Sequence, residues 1–134
     1  MSSEKIEQLL AAHGVTPTSQ RIEVAQVMLD KPQHLSAEQI IDRLRRTGSA
    51  VSKATVYNTL NIFSKNGLIK EINVDATRKY YDSTTHPHHH FYHVETAQLV
   101  DIPAGSIHIQ DLPPLPPGTE QESVEVLIRL RSKT

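Results

Sequence analysis

A dense run of histidines is the feature of this sequence that most directly indicates chemistry. Five of the eight His residues lie in the segment 86–93. Because residues two apart share a face of an extended chain, His88 and His90 should project together, while His89 and His93 should point the other way. Two imidazoles on one face of a strand form a bidentate site for a divalent metal.

Carboxylates near this run complete the predicted site. Asp82 precedes the run, and Asp101 ends the strand that is expected to pair with it. Histidine and carboxylate ligands together suit Mn, Fe or Zn. His89 and His93, on the other face, are candidate ligands for haem or a second metal. The competing interpretation is a plain surface run of histidines; an affinity tag is disfavoured because the run is internal.

The composition excludes several classes of function. The 134-residue chain contains no cysteine, which rules out disulfides, thiol catalysis, iron–sulfur clusters and Cys-type zinc sites. No apolar run approaches the roughly 18 residues of a membrane span, so we expect a soluble, cytoplasmic protein without membrane contacts. Residues 1–80 carry 11 Lys and Arg against 8 Asp and Glu, whereas residues 81–134 carry 3 against 7. A basic first half and an acidic second half suggest separate roles.

The elements that must position these residues differ between the two halves. Apolar residues at helical spacing predict four short helices, the third capped by Ser36 and Gln39 as a capping box and the fourth capped by Ser52. Segments 68–74 and 77–82 predict a β-hairpin. The second half predicts a second hairpin and a final strand, with no strong helix; these strands are expected at 91–94, 98–102 and 124–130. The segment 111–118 holds four of the eight prolines, which excludes a helix or a central strand there.

Helices followed by a hairpin are the order of a winged helix-turn-helix. Its last helix would lie in the major groove, where Asn pairs with adenine and Thr or Tyr contacts thymine methyl groups. The residues that we expect to contact bases or phosphates are Arg21, Ser52, Lys53, Thr55, Tyr57, Asn58 and Arg78. The competing interpretation is a small helical domain whose polar face is merely solvated.

Several motifs together resemble one known family, the ferric uptake regulator (Fur) superfamily. The similarity rests on VSKATVYNTLNIFSKNGLIKEI at 51–72, HLSAEQI at 34–40, TRKYYD at 77–82 and LVDI at 99–102. Within the superfamily the sequence is most similar to the iron response regulator branch, which shares the ATVYNTLN helix, three consecutive His and a Pro-rich tail. The resemblance covers nearly the whole chain.

The resemblance implies an α+β protein with two domains. An N-terminal winged helix-turn-helix would occupy 1–82, with a hinge near 82–87, and a small, β-rich C-terminal α/β domain at 88–134 would mediate dimerisation and metal sensing. The implied function is a metal- or haem-responsive transcriptional regulator of iron homeostasis, a repressor or an activator and not an enzyme, that binds a palindromic DNA operator as a homodimer. Matching the family motif residue by residue gives the regulatory metal ligands His34, Asp82, His88, His90 and Asp101.

The chain departs from the family pattern at informative places. His93 and Thr96 stand where most members have cysteines for a structural zinc, so no such zinc is expected. Asn58 replaces an Arg that often follows the recognition-helix Tyr, so base preference should differ. The chain also lacks the N-terminal Cys-Pro haem motif of some iron response regulators.

Three alternatives remain open at the level of sequence. Iron at His34, His88 and His90 would instead make a peroxide sensor of the same superfamily. A small metalloenzyme would use the His/Asp site to activate water or dioxygen, but the sequence shows no general base with an obvious substrate pocket. A metal buffer would use the histidine run, and it would leave the helix from Ser52 to Gly67 without a purpose.

Overall fold

The computed structural model describes all 134 residues, and the chain divides into two compact units, Met1–Thr85 (unit 1) and His86–Thr134 (unit 2). This division falls inside the 82–87 segment where the sequence places the hinge. The roles of the two units in DNA binding and dimerisation stay a prediction. No helix of the chain has the length and apolar composition required to cross a membrane.

Unit 1 contains four helices and a three-stranded sheet. Its elements are α1 Ser3–Ala12, α2 Ser19–Met28, β1 His34–Ser36, α3 Ala37–Arg46, α4 Lys53–Lys65, β2 Lys70–Asn73 and β3 Lys79–Asp82. The predicted capping box is confirmed, because the Ser36 hydroxyl accepts from the Gln39 N–H and the Gln39 side chain accepts from the Ser36 N–H. Ser52 caps α4 in the same way by accepting from the Thr55 N–H. Local sequence therefore determines where these helices begin.

The sheet of unit 1 includes a strand that the sequence pattern did not predict. β1 pairs with β3, which also pairs with β2, and both pairings are antiparallel. β1 has only three residues, too few for an alternating pattern to be recognised. Its stability comes from pairing with a strand that lies far along the sequence. A local sequence pattern cannot predict such a pairing.

The core of unit 1 is built mainly from aliphatic residues, as the low aromatic content requires. On α4 the buried side chains are Val56, Thr59, Leu60 and Phe63. Phe63 has no exposed surface and belongs to one buried core cluster with residues of the other helices, including Ile6, Val24 and Leu44. This burial fixes one face of α4 and leaves the opposite face in solvent.

Unit 2 is a single three-stranded sheet with long irregular segments and no helix. Its strands are β4 His90–His93, β5 Gln98–Asp101 and β6 Leu127–Leu130, in the order β5-β4-β6. β4 pairs antiparallel with β5 and parallel with β6. The final strand predicted at 124–130 is shorter than expected, because its pairing with β4 begins only at Leu127 opposite His90.

Candidate metal centre and nucleic-acid interface

Two of the predicted metal ligands lie opposite each other in the sheet of unit 1. His34 on β1 and Asp82 on β3 are direct register partners, so both side chains project from the same face. Asp82 is 2% exposed, and its carboxylate accepts a hydrogen bond of 2.8 Å from the Thr84 N–H. A buried carboxylate requires compensation by polar or cationic partners, which a metal ion would add to.

A clamp formed by Gln33 and Ser83 holds this pair in register. The Gln33 N–H donates to the Ser83 hydroxyl, and the Ser83 N–H donates to the Gln33 carbonyl, each at 3.0 Å. These residues directly follow or precede the two ligands, so the clamp limits how far His34 and Asp82 can move apart. Sequence analysis missed the clamp, since neither residue type is itself a metal ligand.

The Gln33 side chain extends the clamp to two helices. Its amide nitrogen donates to the carbonyls of Val27 and Met28 at the end of α2, at 2.8 and 3.1 Å. Its amide oxygen accepts from the Arg43 guanidinium on α3 at 2.9 Å. The strand that carries His34 is thus tied by hydrogen bonds to the helices that surround α4.

The other three predicted ligands converge in unit 2. The Nε2 atoms of His88 and His90 lie 3.3 and 3.2 Å from the same Asp101 oxygen, Oδ1. The two imidazole rings have centroids 4.3 Å apart. His90 is directly opposite Asp101 in the sheet and is 5% exposed. Two imidazole nitrogens and one carboxylate oxygen therefore form a compact donor set.

The hydrogen bonding of His88 suits a metal ligand. Its Nδ1 lies 2.9 Å from the carbonyl oxygen of His86, which can only accept, so Nδ1 carries a proton in this arrangement. In the neutral ring the lone pair is then on Nε2, the atom that faces Asp101. Metal-ligating histidines usually donate their other N–H to a carbonyl or carboxylate in this manner.

The two candidates for haem or a second metal have different environments. The Nδ1 of His89 accepts from the Val126 N–H at 2.9 Å, which leaves only Nε2 as a ligand atom. His93 is half-buried, and its Nδ1 is a buried atom without a hydrogen-bond partner. The structure therefore gives His89 a structural role in joining residue 126 to the start of β4.

The exposed face of α4 carries the predicted base-reading residues. Lys53, Tyr57 and Asn58 are exposed, and Tyr57 has 45% of its surface in solvent. The connection from α3 to α4 turns at Gly48, whose φ of 84° favours glycine. Side chains of this length and chemistry can reach base edges in a major groove.

The remaining predicted DNA contacts have partners within unit 1. The hydroxyl of Ser52 donates to that of Thr55 at 2.9 Å, so both residues serve first to cap α4. The Arg21 guanidinium donates to the Thr16 carbonyl at 2.8 Å, which fixes its position near the start of α2. These contacts orient the groups and leave other guanidinium N–H donors of Arg21 available for phosphates.

Arg78 follows the turn of the predicted wing. The Asp75 carboxylate accepts from the backbone N–H groups of Thr77 and Arg78, each at 2.8 Å. These hydrogen bonds, that from Thr77 first, lower the pKa of Asp75. The turn is thereby held by its own residues, with the Arg78 side chain exposed.

A phenol beside the metal-ligand pair has a strongly shifted pKa. Tyr81, next to Asp82, is 4% exposed, and burial, followed by the charge of Glu71, raises its pKa to about 12. The unfolded chain releases this proton near pH 10. Folding therefore loses stability as pH rises from about 10 toward 12, by about 1.4 kcal/mol per pH unit.

Replacing Tyr81 with phenylalanine removes this titration. We expect the urea-unfolding free energy of the parent chain to fall more steeply above pH 10 than that of Tyr81→Phe, with parallel curves at pH 7–9. Equal slopes for both proteins in the alkaline range would contradict the assigned shift.

Unit 1 has the architecture of a winged helix-turn-helix. Each of the two units of the chain carries histidine and carboxylate groups that can bind a metal. The family model of the Ferric uptake regulator family matches residues 12–112. The chain belongs to this family. Its members are transcriptional regulators, so this chain is a transcriptional regulator and not an enzyme.

Two curated relatives have similar sequences. The "Ferric uptake regulation protein" of Synechococcus elongatus is 30% identical over 102 residues, which are 73% of this chain and 69% of that protein. The "Peroxide-responsive repressor PerR" of Staphylococcus aureus is 31% identical over 89 residues, which are 66% of this chain and 60% of that protein. The match thus spans less than two thirds of the second relative. Assignment to the iron response regulator branch stays a prediction.

Solved structures confirm the predicted α+β fold. The ferric uptake regulator from Pseudomonas aeruginosa with manganese has a TM-score of 0.74 at 24% identity and is covered to 98%, with 96% of this chain aligned. That from Vibrio cholerae has a TM-score of 0.73 at 20% identity, with coverages of 95% and 99%. At this identity the likeness establishes the fold alone.

Proposed function

We propose that this chain is a metal-responsive repressor that binds a palindromic operator in double-stranded DNA as a homodimer and serves iron homeostasis in the cytoplasm. One observation carries the proposal: the Nε2 atoms of His88 and His90 both lie within 3.3 Å of one Asp101 oxygen. A DNA-binding fold alone does not require such a donor set. The family to which the chain belongs supports the regulatory role.

We further propose that one divalent ion, Mn, Fe or Zn, takes ligands from both units. Unit 1 offers His34 and Asp82, and unit 2 offers His88, His90 and Asp101. The ion supplies positive charge and directional coordination to imidazole nitrogens and carboxylate oxygens. With all five ligands engaged, unit 1 would be held at a fixed angle to unit 2, and the conformer with that angle would be populated.

This angle has a direct consequence for DNA reading. In a twofold dimer the angle sets the distance between the two α4 helices. Operator half-sites one helical turn apart, about 34 Å, then fit or fail to fit that distance. Lys53, Tyr57 and Asn58 on α4 would read bases, with Arg21 and Arg78 on phosphates.

Fluorescence anisotropy tests this proposal. A duplex selected from a random-core pool is titrated with the protein in chelator, in Mn(II), in anaerobic Fe(II) and in Fe(II) with haem. We expect tight binding only with metal, and log K should fall with log salt by about 0.9 per phosphate contacted. Binding that is indifferent to metal would contradict the hinge mechanism, and a slope near zero would contradict DNA binding.

The haem arm of this experiment tests a second signal. His93 supports this second signal because its Nδ1 is buried without a hydrogen-bond partner. His89 supports it because its Nδ1 is bonded to the Val126 N–H and its Nε2 is left to bind a ligand. We propose that haem at these residues would release the regulator from its operator. A visible absorption band that His93→Ala abolishes would support this part of the proposal, and an unchanged spectrum would contradict it.

Peroxide sensing is the other candidate, favoured by the 31% identity to the peroxide-responsive repressor of Staphylococcus aureus. Iron held by His34, His88 and His90 would place oxidisable rings beside the metal. Mass spectrometry after peroxide treatment of the Fe(II) protein would then detect an added oxygen on one of these rings. The Mn(II) protein serves as control.

A further inference from the structure

Tyr57 combines exposure with a hydrogen-bond partner in another helix. Its ring is 45% exposed on α4. Its hydroxyl nevertheless donates to the Glu38 carboxylate at 3.3 Å, and Glu38 lies in the first turn of α3. The bond therefore joins the two helices of the helix-turn-helix across its solvent-exposed side.

The direction of this hydrogen bond follows from the two groups. Partial burial, and then the charge of Glu38, raise the pKa of Tyr57, so the phenol keeps its proton. Burial and the charge of Glu71 raise the pKa of the neighbouring Tyr81 phenol, with smaller contributions from Tyr57 and Glu38. The Tyr57 hydroxyl is therefore the donor and the Glu38 carboxylate the acceptor.

The carboxylate itself has a cost at this position. A negative charge beside a DNA-reading helix repels phosphates and lowers the electrostatic part of DNA affinity. The same negative charge stabilises α3, because Glu38 lies at the positive N-terminal end of the helix dipole. An exposed tyrosine without a partner samples several rotamers and must be immobilised on binding, which lowers affinity.

We infer that Glu38 is a positioning residue for base recognition: by accepting the Tyr57 hydroxyl, it holds the Tyr57 ring ready to contact a thymine methyl group. This inference rests on the proposed function, because it requires that α4 read DNA. The partner it identifies is an A·T pair with its thymine methyl in the major groove. The contact with the methyl group would be made by the ring, since the hydroxyl is bonded to Glu38.

The test compares thymine with uracil, which lacks only the methyl group. Each thymine of the selected operator is replaced in turn by uracil, and Kd is measured for the parent chain, Glu38→Ala, Glu38→Gln and Tyr57→Phe. At one position the parent should bind uracil roughly fourfold more weakly. Glu38→Ala and Tyr57→Phe should bring this ratio close to one. Glu38→Gln keeps an amide oxygen that accepts the phenol proton, so it should retain the ratio.

Using the ratio separates positioning from charge. Both Glu38 variants remove a negative charge, and this electrostatic gain is the same on the thymine and uracil duplexes, so it cancels in the ratio. Asp42→Asn is the matched control, because Asp42 is also an exposed carboxylate of α3 and should change affinity without changing the ratio. The double variant Glu38→Ala/Tyr57→Phe should reduce the ratio of the uracil Kd to the thymine Kd no further than either single variant does.

The possible outcomes are distinct. A folded Glu38→Ala that keeps the parent ratio, or a Glu38→Gln that loses it, overturns the inference alone. A parent chain that binds no duplex with any metal overturns the proposed function and this inference with it. If Glu38→Ala does not fold, Tyr57→Phe removes the same hydrogen bond from an exposed position, and its ratio decides.

Discussion

Replacing His90 with alanine is expected to weaken Mn(II) binding by at least about 100-fold and to abolish metal-dependent operator binding. Loss of a residue that only supports a metal ligand already costs about 10- to 100-fold in affinity, so loss of a ligand should cost no less. His90 is 5% exposed, and its Nε2 lies 3.2 Å from the Asp101 oxygen. Calorimetric titration with Mn(II) and anisotropy on the selected duplex measure the two effects.

The control for this substitution is His108→Ala. His108 is an exposed histidine of the same unit outside any strand, and its loss should leave both measurements unchanged. His88→Ala should reproduce the loss, whereas the truncation of His108 removes a histidine without touching the donor set. If His90→Ala still binds the operator in a metal-dependent manner, the assigned ligands are wrong, wherever the metal is then bound.

The sequence predicted those parts of the fold that local chemistry decides. The Ser36 and Ser52 caps and the capping residue Gln39 act within three residues, so their pattern is complete in the sequence. β1 was missed, and β6 was predicted too long, because long-range pairing decides both. The pairing of His34 with Asp82 joins distant segments, and no periodicity reports it.

The candidate site shows the same division. Residues whose types are ligands or base readers, such as His88, His90 and Asn58, could be selected from sequence because their chemistry is specific. Gln33 and Glu38 could not, since a glutamine or an exposed glutamate is common on any surface. Their roles arise only from their partners, the Ser83 hydroxyl and the Tyr57 phenol. The sequence therefore identifies groups that act on a ligand better than groups that position them.

Replacing Phe63 with alanine should destabilise unit 1 by about 3–5 kcal/mol, since it removes a large side chain from a close-packed core. Phe63 is fully buried on the face of α4 opposite the exposed reading residues. A small protein typically has only about 5–15 kcal/mol of total stability, so a large fraction would be lost. All four helices belong to unit 1, and far-UV circular dichroism during urea unfolding therefore reports on this unit.

The Phe63 variant also tests whether core packing is what presents the reading face of α4. Lys65→Ala is the matched control, because Lys65 is an exposed residue of the same helix and its loss should change stability by no more than about 0.5 kcal/mol. Under conditions where Phe63→Ala stays folded, we expect weaker operator binding. The contribution of His88, His90 and Asp101 to metal binding should be unchanged, because these residues lie in unit 2. Full operator affinity in that folded variant would mean that α4 is oriented by its caps and by the Glu38 contact alone, without help from the packing of Phe63 in the core.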